Sequence, residues 1–264
     1  MGVLNLTPDS FSDGGRFFVS NDIDPSLVVD EASKMVARGA DWLDLGGEST
    51  RPGAAPVSED QELSRVIPAL EAIKSRFDTK ISVDTSSPAV MSESISLGVE
   101  MINDVRALTR DGAIQAIADS EVSICLMHMQ GEPESMQALP AYDDVVGEVF
   151  RFLETRLDVL KQAGVSEERI CLDPGFGFGK QLAHNLDLLR GLGRIGELER
   201  PILVGLSNKS MIGAITGREI GQRLYGTIGL NMLALKNGAS ILRVHDIDAA
   251  LDTVKIWNAY AGVQ

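Results

Sequence analysis

Short apolar runs alternate with longer stretches of helical periodicity along most of the chain. Met1–Asn5, Trp42–Gly46, Ile81–Thr85, Met101–Asp104, Ser123–Met127, Ile170–Asp173, Ile202–Val204 and Ser240–Arg243 read as strands. Their hydrophobic residues show little alternation, as expected of strands buried on both faces. The helices between them carry end signals. Asp24-Pro25 is an N-cap with proline at the first helical position, and Leu27, Val28, Ala32, Met35 and Val36 follow at helical spacing until Gly39. Ser58-Glu59-Asp60-Gln61 has the capping-box order, Ser87-Pro88 opens another helix, and Asp143–Ala163 and Asp248–Tyr260 predict two more. Strands alternating with helices imply a parallel sheet with right-handed crossovers. Eight such units in 264 residues predict an α/β fold, a (β/α)8 barrel in a single domain over 1–264. An open doubly wound sheet is the alternative. It would carry G-x-G-x-x-G after the first strand, and the sequence after Asn5 has none. The first strand begins at the first residue, so an N-terminal segment is expected to be missing.

Charge narrows the partners. A formal net charge of -14 argues against non-specific nucleic-acid binding, although it leaves room for a local basic pocket. No apolar run is long enough to span a membrane and no signal-peptide pattern is present, so a soluble cytoplasmic protein is expected. Cys125 and Cys171 fall inside predicted strands, which favours buried thiols over a disulfide or a metal pair.

The chemistry gathers at the predicted C-terminal ends of the strands: Asn5, Glu48, Asp84, Asn103, His128, Asp173, Ser207 and His245. A lone Asp or Asn there is more often a cap. So many in register are not explained by caps alone, and a barrel brings such ends to one face. Asp173 is followed by Pro174-Gly175-Phe176-Gly177-Phe178-Gly179-Lys180, a glycine-rich loop that lets a ligand approach the backbone closely. Asp84, Asn103 and Asp173 suit a heterocycle with adjacent N–H donors. A divalent metal is the competing reading of the two carboxylates, but no third carboxylate or metal-spaced His cluster accompanies them. Lys209, in Ser207-Asn208-Lys209-Ser210, suits a carbonyl or ring-nitrogen acceptor, against the alternative of a solvated lysine. Alternation puts Arg243 and His245 on one face, where with Asn5 and Arg51 they predict an anion pocket. His184 has no such company and reads as structural or surface. The loops after the first two strands are expected lids, with Asp13 and Arg51 pairing across them. Thr50 and Pro52 would contact an apolar or aromatic second substrate.

These residues together resemble the dihydropteroate synthase family. The matching segments are Gly2–Asn5 with Thr7–Gly15, Gly46–Gly53, Ser82–Thr85, Ile102–Asp104, Met127–Gly131, Leu172–Lys180, Ser207–Ser210 and Arg243–Asp246, in the family's order over nearly the whole chain. The resemblance implies a pterin-binding (β/α)8 barrel. It implies condensation of 6-hydroxymethyl-7,8-dihydropterin pyrophosphate with p-aminobenzoate to 7,8-dihydropteroate and pyrophosphate, with Mg2+. By the same resemblance Asp84, Asn103, Met127, Asp173, Gly177 and Lys209 hold the pterin. Asn5, Arg243 and His245 hold the pyrophosphate, with Asn5 also at the metal. Phe11, Thr50, Pro52, Phe178 and Ser210 form the p-aminobenzoate side, and Asp84, Lys209, Arg51 and Asp13 stand at the reaction itself. Sulfonamides, which mimic p-aminobenzoate, are the implied inhibitors, and a homodimer is the implied assembly. The chain departs from the family at Asn208, where an arginine is usual, and near Ser87, where a basic residue is common. Two competing functions stand beside this one. A corrinoid-linked methyltetrahydrofolate methyltransferase shares an Asp/Asn pterin pocket but needs neither Ser49–Pro52 nor an anion pocket. A non-catalytic pterin-binding barrel would bind without turnover.

Overall fold

The computed structural model describes residues 1–8, 15–20, 22–49, 53–131, 136 and 140–262. The first half of the chain runs β1 (Gly2–Asn5), β2 (Phe18–Val19), β3 (Asp22–Ile23), α1 (Pro25–Ala37), β4 (Trp42–Gly46), α2 (Glu59–Lys74), β5 (Lys80–Asp84), α3 (Pro88–Ser96), β6 (Met101–Asp104), α4 (Ala113–Ala118) and β7 (Ser123–Met127). The second half runs α5 (Val145–Gln162), β8 (Ile170–Asp173), α6 (Leu182–Arg190), α7 (Leu192–Gly196), β9 (Leu203–Val204), α8 (Ser210–Thr216), α9 (Leu224–Lys236), β10 (Ile241–Leu242) and α10 (Ile247–Ala261).

The predicted caps do their work. Asp24 accepts the Ser26 N–H at 2.9 Å, Ser58 and Gln61 form the reciprocal capping box, and Asp246 accepts the Ala249 N–H at 2.9 Å. Six strands make one parallel sheet in the order β1-β4-β5-β6-β7-β8, and β9 pairs in parallel with β10. Single parallel bridges, Leu172 to Ile202 and Gly2 to Val244, join the two sets and close the ring. The Val3 N–H donates to the Val244 carbonyl at 3.0 Å, and the Leu172 N–H to Pro201 at 2.9 Å. The eight expected strands are therefore the eight of the barrel. The antiparallel β2–β3 hairpin stands apart and was not anticipated; two residues per strand are too few to show a period.

Register sorts the side chains. Asp44 pairs with Ser82, Gly46 with Asp84, Asp84 with Asn103, Asn103 with Cys125 and Met127 with Asp173. Because side chains alternate along a strand, this set shares the inner face. Leu43, Leu45, Val83, Ile102, Ile124 and Leu172 face the other way and are buried against the helices. Low in the barrel, Met101, Cys125, Cys171 and Leu203 pack together, and both thiols are buried, as the apolar strands predicted. Above them the inner face turns polar.

Candidate active site

The site is assembled from the tips of separate strands. Asp84 ends β5, Asn103 stands near the end of β6, Met127 ends β7 and Asp173 ends β8; Lys209 follows β9 and Arg243 follows β10. All six line one recess at the C-terminal face, walled by Val105, Phe176, Phe178 and Gly205. The sequence placed these tips together only through the barrel hypothesis; here they meet.

Asp173 is buried, and one of its oxygens accepts the Gly175 N–H at 2.7 Å. Burial raises its carboxyl above the usual range, while that hydrogen bond and the Lys209 and Arg243 cations pull it back. Lys209 lies with Nζ 4.2 Å from the centre of the Phe178 ring. Burial brings this amine down to about 8, opposed by Asp173. Burial likewise pushes Asp84 up to about 8, against Arg243, with Asp44, Asp104 and Glu62 adding to the rise. Arg243 donates from Nη2 to Asp84 at 2.9 Å and from Nε to Asp44 at 2.6 Å. Burial works against its charge, but the two carboxylates outweigh that and raise its pKa further. In this pair Arg243 stays charged, and its guanidinium opposes the rise at Asp84. The recess thus offers carboxylate and amide acceptors, two cations and aromatic plates together. That set matches a flat heterocycle carrying both donors and a carbonyl.

The glycine-rich loop owes its shape to contacts below the recess. Lys180 is buried; its ammonium donates to the carbonyls of Gly175 at 2.8 Å and Phe178 at 3.1 Å, and reaches His128 Nδ1 at 2.9 Å. Nδ1 must then accept, which fixes a neutral imidazole. Burial, then Lys180, brings His128 down to about 3, and burial brings Lys180 to about 7. The His128 tip is therefore a loop anchor. Glu48 is another anchor, paired with Arg106 at 3.0 Å and, like it, partly buried. Asp104 accepts the N–H groups of Arg106 and Leu108 at 2.8 and 2.7 Å and the hydroxyl of Ser86, a cap role.

The expected anion group is spread more widely. Asn5 is partly buried at the tip of β1, paired with Gly46. His245 shares Nδ1 with the Ser207 hydroxyl at 3.0 Å, while Arg243 turns into the recess. Ser210 is exposed at the first position of α8. Gly177 has φ +82°, donates its N–H to Asn185 at 2.7 Å, and lets Lys209 pass close to its α-carbon. His184 accepts the Gln181 N–H at 3.2 Å, a structural role. Phe11, Asp13, Thr50, Arg51 and Pro52 lie outside the described residues. Asn208 has φ +58°, a left-handed conformation that asparagine tolerates better than arginine. Its carbonyl accepts from Arg223 at 2.9 Å.

One residue of the site was not singled out in the sequence. Asp44 is buried in the middle of β4 and touches both Arg243 and Asn103. Its only signal was a carboxylate inside an otherwise apolar strand.

Comparison with known proteins agrees with this geometry. Residues 1–245 match the model of the pterin binding enzyme family. The dihydropteroate synthase of Escherichia coli K12 is 48% identical over 261 residues, covering 98% of this chain and 90% of that protein. The Yersinia pestis dihydropteroate synthase, solved as a complex with a sulfonamide drug, superposes with a TM-score of 0.95 at 45% identity, covering 99% of this chain and 94% of that one. The Burkholderia cenocepacia enzyme, solved with 7,8-dihydropteroate, superposes at 0.88 with 42% identity, covering 99% and 91%. The chain therefore belongs to the pterin-binding enzymes and, within them, to the dihydropteroate synthases.

Proposed function

We propose that this chain condenses 6-hydroxymethyl-7,8-dihydropterin pyrophosphate with p-aminobenzoate, giving 7,8-dihydropteroate and pyrophosphate. The observation that carries the reading is the convergence of Asp84, Asn103, Asp173, Lys209 and Arg243, from separate strands, on one recess. Asp173 accepts the donor edge of the pterin with the oxygen not committed to Gly175. Asn103 and Asp84 accept from the ring, and Lys209 donates to its carbonyl or a ring nitrogen. Met127, Gly177 and Phe178 shape the slot. Arg243, with Asn5 and His245 at the rim, faces the pyrophosphate.

The C–O bond to pyrophosphate breaks, and the methylene cation left on the electron-rich ring is stabilised by the nearby carboxylates. The aniline nitrogen of p-aminobenzoate then forms the new C–N bond and gives up a proton. Orientation supplies most of what remains, and no protein nucleophile is required. Phe11, Thr50, Pro52, Phe178 and Ser210 are proposed for the p-aminobenzoate side, with Asp13 and Arg51 closing over it. Asn5 would hold Mg2+, a hard cation that prefers oxygen ligands and keeps much of its water. When bound it neutralises charge on the departing pyrophosphate.

A homodimer is proposed from the apolar side chains left exposed on neighbouring helices: Ile215 on α8, Leu224, Tyr225 and Leu233 on α9, and Ile256 and Tyr260 on α10. A cytoplasmic location is proposed from two thiols on adjacent strands that remain unlinked. Purified protein is expected to release pyrophosphate only when both substrates and Mg2+ are present, measured by a coupled pyrophosphate assay. Pterin binding without release would instead identify a non-catalytic barrel. In a pterin-binding titration Asp173→Ala is expected to remove binding; an unchanged pterin Kd would overturn its assignment.

A further inference from the structure

Asp44 stands behind the recess and does not line it. It is fully buried, paired in register with Val3 on β1 and Ser82 on β5. A carboxylate at such a depth requires strong partners. Its Oδ2 accepts the Arg243 Nε–H at 2.6 Å, and the Asn103 amide nitrogen lies 3.5 Å from the same oxygen. Its Oδ1 has no partner among the described residues.

Two consequences follow from donor chemistry. A carboxylate only accepts hydrogen bonds, so the Asn103 amide turns its NH2 toward Asp44 and its carbonyl toward the recess. A guanidinium held through Nε has its plane set, and Nη2 then reaches Asp84 at 2.9 Å. One buried carboxylate thereby orients two groups that do face the recess.

We propose that Asp44 is a positioning residue for the pterin half of the reaction, presenting Asn103 as an acceptor and Arg243 as a fixed cationic edge. This rests on the pterin reading of the recess. Without the charge at position 44, Arg243 leans wholly on Asp84, and the Asn103 amide is free to turn a donor toward a donor-rich ring.

Asp44→Asn keeps the shape and removes the charge. Its pterin Kd is expected to rise about 10- to 100-fold, the range for a charge-assisted hydrogen bond, while the KM for p-aminobenzoate stays within about twofold. In an Asn103→Ala background the same substitution is expected to cost measurably less, because the two side chains act together. Asp44→Ala, with a smaller side chain, is the second variant should Asp44→Asn not fold, and the same result is expected of it. Equal pterin affinity in variant and wild type, or parallel losses for both substrates, would overturn the inference. Wild-type protein that binds no pterin would count against the pterin reading instead. The crystal structure of Asp44→Asn then decides the positioning claim alone: Arg243 and Asn103 unmoved from their wild-type places would overturn it.

Discussion

Glu62 shows how much a single buried side chain can impose. It sits on α2 under the loop after β4, only 2% exposed, with Oε1 unpartnered among the described residues. Burial brings its carboxyl up to about 7, against a hydrogen bond from Thr85; Glu48 adds to the rise, and Arg110 and Arg106 oppose it. The folded protein holds this proton more tightly than the unfolded chain does. The resulting stability is fully present below the unfolded value near 4.5 and is lost as pH rises through about 7. Glu62→Gln is expected to flatten that part of the profile, by on the order of 1–3 kcal/mol between pH 5 and 8. Urea unfolding of both proteins at the two pH values measures it, and parallel profiles would show that Glu62 does not titrate there. Asp84 adds its own fall, through about 8, and remains in the variant. Neither effect was legible in the sequence. Glu62 sits in a run of acids, Glu59-Asp60-Gln61-Glu62, that reads as an exposed first turn, and only the packing of Gly47 against it reveals the burial.

Among the elements, the loop from Gly175 to Lys180 was the most legible and is the least replaceable. Its glycines, its leading aspartate and its trailing lysine stand next to one another in the chain, so the motif is local. What it needs each glycine for is not. At Gly175, φ is +72° and an added Cβ would stand 1.8 Å from the His128 carbonyl oxygen. At Gly217, the αL cap of α8, φ is +70° but nothing lies within 4 Å. Gly217→Ala is expected to cost about 1–2 kcal/mol, the conformational penalty alone. Gly175→Ala adds a backbone collision and is expected to cost at least about 3 kcal/mol, because the loop or the end of β7 must move. Thermal melts of the two variants give the comparison. Similar melting temperatures would mean that the loop yields easily and that the close approach is not structural.

At the scale of the whole molecule, the exposed apolar residues of α8, α9 and α10 form a surface that the described barrel does not use. Tyr225 is 77% exposed and Tyr260 79%, and apolar side chains gathered on a surface mark interaction sites. If this face joins two copies, Tyr225→Glu or Leu233→Glu is expected to yield a monomer in sedimentation velocity, with the pterin site intact. A wild-type chain that is already monomeric at micromolar concentration would sink the dimer.

What the chain determined by itself was whatever is local. The strand and helix sequence, the Asp24, Ser58 and Ser87 caps, and the acids and amides at strand tips all follow from neighbours within a few residues. So does the glycine motif, and the family resemblance was carried by such segments. What only the tertiary structure decided depends on ring closure and register. Two single bridges complete the barrel, and Arg243 meets Asp44 across 199 residues of sequence. Lys180 reaches back 52 residues to His128. Such contacts leave no periodicity to read, because their partners are chosen by which strands come to lie side by side.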